Sequence, residues 1–138
     1  MVPQVLIVDS DDSAAQVTRA IVARAVPDAT VSVESALQRT WLNGEHYWPD
    51  VLIIDPSPHS PDGVQLIQRI KQESPNACVI VIASVPTPAL RRQMESLGVD
   101  AYLEKPTLLP QRLQELQAVL QRSVRSLNPA LSSDSPGA

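Results

Sequence analysis

The chain has 138 residues, a formal net charge of −4 and a single cysteine. This length allows one domain with a core of ordinary size, and the negative charge gives no basic surface for nucleic acid or an anionic membrane. One cysteine excludes a disulfide within the chain, which fits a reducing cytosol. No apolar run approaches the ~20 residues of a membrane helix, and the first residues lack a signal-peptide pattern. We therefore expect a cytoplasmic protein that binds neither nucleic acid nor a membrane.

Strands and helices are predicted to alternate five times along the chain, from short apolar runs, helical spacing of apolar residues and turn signals. In chain order the predicted elements are β1 (5–8), α1 (13–26), β2 (30–33), α2 (35–42), β3 (51–54), α3 (63–73), β4 (78–82), α4 (from 87–88), β5 (101–103) and α5 (from about 110).

The predicted helix ends rest on capping and proline signals. Asp11, Asp12 or Ser13 could cap the start of α1, where the apolar pattern begins. Thr87 is the predicted N-cap of α4, with Pro88 at its first helical position. The apolar residues expected to face inwards are Ala14, Val17, Ile21 and Ala25 on α1, Leu66, Ile67 and Ile70 on α3, and Leu113, Leu116, Leu120 and Val124 on α5.

The pattern of the strands predicts the fold class, α/β. Predicted β1, β3 and β4 are continuously apolar, as expected when helices cover both faces of a sheet, whereas β2 reads as an edge. Alternating strands and helices with right-handed crossovers give a doubly wound, flavodoxin-like parallel sheet of five strands in the order 2-1-3-4-5. We predict one domain over residues 1–126. Residues 127–138, mostly Ser, Pro and Ala with little to bury, are predicted to be a disordered tail or linker.

Two acids and a lysine follow different predicted strands. Asp9 ends β1, Asp55 ends β3, and Lys105 comes shortly after β5. Ligands of open α/β folds bind at the carboxyl edge of the strands, where the strand order reverses. The three side chains should therefore converge into a site with two carboxylates and one ammonium. Alternatively, the two acids cap the following loops, and the lysine is a solvated surface charge.

Several short motifs accompany these residues along the chain. They are Val-Leu-Ile-Val-Asp at 5–9, Pro-Asp-Val-Leu-Ile-Ile-Asp at 49–55, Asp62-Gly63, Gly98, Tyr102 three residues before Lys105, and the pair Lys105-Pro106. As an ordered set they resemble the receiver domain of two-component response regulators. The resemblance covers roughly residues 4–124.

This resemblance implies phosphoryl transfer onto a carboxylate, in a signalling domain that catalyses at most its own phosphorylation and dephosphorylation. Asp55 would be the nucleophile and form an aspartyl phosphate. Lys105 would supply a compact positive charge, because such transfer depends mainly on positioning and on cations beside the phosphoryl oxygens. Pro106 would follow a cis peptide bond that aims Lys105 at the site, and Gly63 is expected to have a structural role.

The resemblance also implies Mg²⁺, held by Asp9, Asp55 and the backbone carbonyl of Ser57, with waters completing its octahedron. The family normally has two adjacent acids after the first strand, but here the second position is Ser10. A serine can hold a metal-bound water only as a neutral partner, so we expect Mg²⁺ to bind weakly. Asp11 follows one residue later, but its backbone direction should differ.

Two other departures from the family pattern concern the switch. An alignment without gaps places Ala83 where the family has a hydroxyl that follows the phosphoryl oxygen and carries the signal to Tyr102. Ser84 is the nearest substitute and would need a one-residue shift of the loop. Pro56, directly after the acceptor, has no N–H and removes a backbone donor beside the phosphoryl group. Tyr102 is either a switch that moves between exposed and buried positions or ordinary packing.

Two functions from different classes remain open. In the first, the domain accepts phosphate from a sensor histidine kinase or phosphotransfer protein and shifts a two-state equilibrium of its α4–β5–α5 face. That face, with Tyr102 and the pair Arg91-Arg92 on or beside it, would bind a downstream protein or a second copy. Alternatively, the two arginines only solvate α4. In the second, it is a degenerate receiver that binds a partner independently of phosphorylation. We favour the first because Asp9, Asp55 and Lys105 are all present.

A third idea, an unrelated small flavodoxin-like enzyme, is weaker. The sequence lacks a Gly-rich phosphate loop and a Ser-His or Cys-His pattern. No output domain follows in this sequence, so we expect either a protein that works alone through protein contacts or the front of a longer chain.

Overall fold

The computed structural model describes residues 2–35, 48–56 and 61–127. Predicted α2, apart from Ser35, and the predicted tail, apart from Leu127, lie outside these residues. The described elements differ from the predicted ones by at most two residues at either end. They are β1 (Gln4–Val8), α1 (Asp12–Ala25), β2 (Thr30–Glu34), β3 (Val51–Ile54), α3 (Pro61–Glu73), β4 (Cys78–Ala83), α4 (Pro88–Ser96), β5 (Ala101–Glu104) and α5 (Pro110–Leu127).

The five strands form one parallel sheet in the order β2-β1-β3-β4-β5, which confirms the predicted fold. The order reverses between β1 and β3, where Val8 is paired with Ile54. The Asp55 N–H then donates to the Val8 carbonyl at 3.0 Å and continues this pairing by one residue. The acids that follow β1 and β3 therefore leave the sheet side by side at its carboxyl edge.

Each face of the sheet has its own apolar cluster. The central strands β1, β3 and β4 contribute to both, because successive side chains point to opposite faces. One cluster lies under α1 and α5, and its largest fully buried members include Ile7, Ile53 and Leu116. The other lies under α3 and α4, and includes the inward-facing residues predicted for α3, namely Leu66, Ile67 and Ile70. The predicted stripe of α5 is also apolar and inward, with Leu116 and Leu120 buried and Leu113 and Val124 packed at its margin.

The predicted inner face of α1 is wrong by about one residue. The buried residues are Ala15, Thr18, Ile21 and Val22, whereas Ala14, Val17 and Ala25 are only partly buried. A threonine can lie inside because its Oγ1 donates to the Ala14 carbonyl at 3.1 Å, which satisfies the hydroxyl within the helix. The sequence pattern counted this polar residue as outward and so rotated the face.

The helix ends follow the predicted signals. Asp11 caps α1, with its side chain accepting from the Ala14 N–H at 3.2 Å. Thr87 caps α4, with its Oγ1 accepting from the Leu90 N–H at 3.0 Å, and Pro88 opens the helix. After α4, Gly98 has a φ of 80°, a left-handed conformation that glycine adopts without steric cost. The caps Asp11 and Thr87 thus fix where α1 and α4 begin, shortly after β1 and β4 end at the carboxyl edge. Among the described helices, none is both long and apolar enough to cross a membrane.

Candidate functional site

The structure brings Asp9, Asp55 and Lys105 together at the carboxyl edge of the sheet. Lys105 Nζ lies 2.8 Å from Asp9 Oδ2 and 2.9 Å from Asp55 Oδ2. One ammonium therefore bridges two carboxylates that come from adjacent central strands. Convergence of strand ends, which predicted the site, explains the placement of both acids.

These three side chains are largely withdrawn from solvent. The exposed fractions are 6% for Asp9, 7% for Asp55 and 15% for Lys105. Burial alone lowers the pKa of Lys105, but hydrogen bonds to both carboxylates and their charges outweigh it and raise the pKa above its ordinary value. Lys105 is therefore charged at neutral pH. The cluster carries one more negative than positive charge, which favours an additional cation.

Backbone N–H groups hold the other carboxylate oxygens. The Asp11 N–H donates to Asp9 Oδ1 at 2.9 Å, and the Ser84 N–H donates to Asp55 Oδ1 at 3.3 Å. Sequence reasoning assigned Ser84 a role through its hydroxyl and missed this contact of its backbone. The available signal was its position, one residue after β4, at the same edge of the sheet as Asp55.

The donor set at this edge fits Mg²⁺, since Asp9 and Asp55 present hard carboxylate oxygens close enough to share one cation. Neither of the two residues after Asp9 adds a third carboxylate to the site. Ser10 is exposed, and the side chain of Asp11 is engaged as the cap of α1. Within residues 2–35, 48–56 and 61–127, no group of three or more His, Cys, Asp or Glu side chains could hold a metal. The carbonyl of Ser57, predicted as a ligand, lies outside the described residues.

The two residues predicted to have structural roles border the cluster. The peptide bond between Lys105 and Pro106 is cis, as the resemblance implied. Gly63, in the first turn of α3, is buried against Pro56. A Cβ atom at residue 63 would meet the Pro56 Cα and Cβ at 3.5 Å, an ordinary contact distance. Gly63 thus permits close packing against Pro56, but a Cβ atom at this position would not clash.

The predicted switch residues lie on the side of β4 and β5. Ala83 ends β4 with no exposed surface, so a methyl group occupies the position where the family has a hydroxyl. Tyr102 packs against the same apolar cluster as Ala83, and its Oη is buried without a hydrogen-bond partner among the described residues. Burial raises the pKa of the Tyr102 hydroxyl, and Glu104 and Asp55 add to this effect. Sequence reasoning placed Arg91 on or beside the α4–β5–α5 face but did not predict its contact with Tyr102. The Arg91 guanidinium lies over the Tyr102 ring, 5.3 Å from its centroid.

Comparison with known proteins identifies the family. The sequence profile of the response regulator receiver domain matches residues 5–118, so the chain belongs to this family. Receiver domains are signalling domains of two-component systems. A search of curated protein sequences finds no match.

Solved structures of receiver domains share the fold. A CheY-like receiver domain protein from Methanospirillum hungatei JF-1 is similar with a TM-score of 0.71 and 19% identity, over 91% of this chain and 98% of that chain. The receiver domain of AraT from Geobacillus stearothermophilus has a TM-score of 0.66 and 28% identity, over 91% and 97%. The phosphorylated cyanobacterial phytochrome response regulator RcpA has a TM-score of 0.69 and 15% identity, over 90% and 95%.

Replacing Lys105 by Met should destabilise the domain strongly, because Asp9 and Asp55 would face each other without their shared cation. Removing one member of a buried ion pair costs roughly 3–5 kcal/mol, and we expect about 3 kcal/mol here in the free energy of unfolding. Urea unfolding at pH 7 in the presence of a chelator measures this loss. Adding millimolar Mg²⁺ should restore part of it, since the dication can neutralise the same two carboxylates.

The matched control is Lys71→Met. Lys71 Nζ lies 2.9 Å from Asp100 Oδ2, so it also forms an ion pair, but its single partner is 43% exposed. We expect a loss below about 1 kcal/mol and no effect of Mg²⁺. Equal losses in the two variants would contradict a special role for the bridging lysine, as would a Lys105→Met protein that Mg²⁺ does not stabilise.

Proposed function

We propose that this receiver domain is a cytoplasmic phosphoacceptor that takes a phosphoryl group onto Asp55 from a sensor histidine kinase or a phosphotransfer protein. One observation carries the proposal, namely that Lys105 Nζ lies 2.9 Å from Asp55 Oδ2 while also touching the second carboxylate, Asp9. This arrangement gives Asp55 a fixed orientation and places a cation where the charge of a phosphoryl group would gather.

In the proposed reaction an Asp55 carboxylate oxygen attacks the phosphorus atom of the donor. The new P–O bond forms as the bond between phosphorus and the donor group breaks, and the bonding electrons leave with the donor. Lys105 stabilises the negative charge on the phosphoryl oxygens, and the Ser84 N–H, now 3.3 Å from Asp55 Oδ1, is a nearby backbone donor. Hydrolysis of the aspartyl phosphate reverses the modification.

Mg²⁺ would supply the remaining positive charge when bound, with Asp9 and Asp55 as its carboxylate ligands. Holding the dication requires Lys105 to loosen its contact with at least one of them, because its ammonium now bridges both. We propose weak binding for this reason and because Ser10 provides no third charge. Lys105 and Mg²⁺ would therefore compete for the carboxylates of Asp9 and Asp55.

The loops around Asp55 support a protein as the phosphodonor. Val85 in the loop after β4, and Leu108 and Leu109 in the loop after β5, are 53%, 60% and 47% exposed. Both loops leave the edge of the sheet that holds the acceptor. Apolar side chains at the rim of a charged cluster favour protein contact over a small-molecule donor alone.

We propose that output runs through the face formed by α4, β5 and α5, which binds a downstream protein or a second copy of the domain. Tyr102 and Arg91 lie together on this face, and arginine and tyrosine are favoured anchors of interfaces. A phosphorylation-independent binding module is the second candidate. It is favoured by Ala83, which provides no hydroxyl between the acceptor and Tyr102.

The acceptor assignment predicts that Asp55 is the sole phosphorylation site. Incubation with acetyl phosphate and Mg²⁺ should add one phosphoryl group to the wild type, measured by intact mass. Asp55→Asn should remain unmodified, and Asp62→Asn, which removes an exposed acid outside the cluster, should be modified like the wild type. An adduct on Asp55→Asn would sink the assignment, and no adduct on any of the three proteins would favour the binding module.

The metal assignment predicts that Ser10→Asp tightens Mg²⁺ binding, by about tenfold for one extra charge acting on a dication near the site. Calorimetry or tryptophan fluorescence measures the affinity. Ser13→Asp adds the same charge to an exposed position on the first turn of α1 and should have a much smaller effect. If Ser10→Asp binds Mg²⁺ no more tightly than the wild type, residue 10 does not face the metal.

The output assignment predicts that Ala83→Thr strengthens the response to beryllofluoride, a mimic of the phosphoryl group on Asp55. Sedimentation with and without beryllofluoride should show a small change in self-association for the wild type and a larger one for Ala83→Thr. Ala83→Ser adds less volume at this buried position and separates the hydroxyl from overpacking. Equal responses in wild type and variants would show that no hydroxyl at residue 83 is needed, and no response in any of them would favour a fixed binding surface.

A further inference from the structure

The hydroxyl of Tyr102 does not hold this side chain in place. Its Oη is buried, and the described residues offer it no hydrogen-bond partner. A buried polar atom without a partner is destabilising, so the hydroxyl by itself favours a move of the ring towards solvent. Ala83 belongs to the same apolar cluster, two residues beyond the β4 partner of Tyr102, and its methyl group offers Oη no partner.

Two other contacts keep the ring partly buried. Tyr102 packs against the apolar cluster under α4, which includes Leu90 and Met94. The guanidinium of Arg91 lies over the ring, with its Cζ 5.3 Å from the centroid. Arg91 is itself oriented, because its Nε donates to Glu95 Oε1 at 3.1 Å, one turn further along α4. The aromatic ring is thus held between the core and a guanidinium that a carboxylate fixes.

We infer that Arg91 is a positioning residue that keeps Tyr102 in this partly buried position, with its Oη inside. Residue 83 is an alanine and has no hydroxyl with which to do so. The position of Tyr102 then depends on a side chain of α4. The inference rests on the proposed function only in treating Tyr102 as the output switch.

Arg92 provides a natural comparison. It is the next residue of α4 and is also exposed, but the cation above the Tyr102 ring is Arg91. Removing either arginine changes the charge of the chain by the same amount and shortens a side chain on the same helix. A difference between the two variants therefore reports on the contact with the ring and not on net charge or helix propensity.

The experiment follows Tyr102 directly by ¹⁹F NMR of the full chain labelled with 3-fluorotyrosine. Tyr47→Phe leaves Tyr102 as the only tyrosine, because the sequence has two. The exposure of the ring is read from the solvent isotope shift of its resonance between H₂O and D₂O. No phosphodonor is added, so a protein that proves unable to accept phosphate on Asp55 still gives a result.

Arg91→Ala should increase the ratio of exposed to buried Tyr102 by about two- to fivefold, as expected from a cation–π contact at an exposed site. Arg92→Ala should leave the ratio unchanged. Arg91→Lys keeps the charge but not the planar guanidinium and should lie between the two. Glu95→Gln, which loosens Arg91 without touching the ring, should shift the ratio in the same direction by a smaller factor.

A second arm tests the link to residue 83. Adding Ala83→Thr to Arg91→Ala should return the ring towards its buried position, because the new hydroxyl can pair with Oη, and this gain should exceed the effect of Ala83→Thr alone. Identical resonances for wild type, Arg91→Ala and Arg92→Ala would overturn the inference, and so would equal shifts in the two alanine variants. If Arg91→Ala fails to fold, as judged by circular dichroism, the Arg91→Lys and Glu95→Gln comparisons decide, and no shift in either would overturn it.

Discussion

The bridge from Lys105 to Asp9 and Asp55 is the interaction on which the rest of the site depends. Two nearly buried carboxylates at the ends of neighbouring strands repel each other, and the shared ammonium of Lys105 offsets this repulsion. The bridge stabilises the folded domain, and under the proposed function the same carboxylates and the same ammonium would serve the phosphoryl group and the metal ion. In the proposed reaction, Mg²⁺ would take over part of the contact that Lys105 now makes with Asp9 and Asp55.

The register of the strands brings the charged residues of this cluster together, and the apolar core fixes that register. Strands β1, β3 and β4 are buried on both faces, so a slip of one residue would exchange the contents of the two apolar clusters. The pairing of Val8 with Ile54 then aligns the ends of β1 and β3, and the hydrogen bond from Asp55 N–H to Val8 carries that alignment into the site. The energy that positions the charged groups is therefore hydrophobic, and it is supplied by residues that take no part in the chemistry.

Sequence reasoning was most successful where one physical pattern dominates. Apolar runs predicted the strands, and their order predicted that Asp9, Asp55 and Lys105 meet, because parallel strands share a carboxyl edge. It failed where the outcome depends on local side-chain geometry. Thr18 is buried through a hydrogen bond to its own helix, Ser84 contributes a backbone N–H rather than its hydroxyl, and Arg91 stacks on Tyr102. Polarity and spacing do not encode such contacts, since each depends on rotamers and on a backbone direction that only the folded chain defines.

The charged cluster and the surface around Tyr102 lie on separate parts of the sheet. They depart from the family pattern to different degrees. The charged cluster uses residues that follow β1, β3 and β5, and it keeps three charges of the family pattern, whereas Ser10 replaces the second acid after β1. The path towards the surface uses the end of β4 and the ring of Tyr102, where a methyl group stands in place of a hydroxyl and the phenol oxygen has no partner in the described part of the chain. An acceptor needs only its local charges, whereas a switch needs two states of similar free energy. Under the proposed function, the missing hydroxyl at residue 83 would therefore weaken the coupling and leave the reactivity of Asp55 in place. A contact such as that between Arg91 and Tyr102 then determines which state of the surface is populated, and the sheet that orients Asp55 is left unchanged.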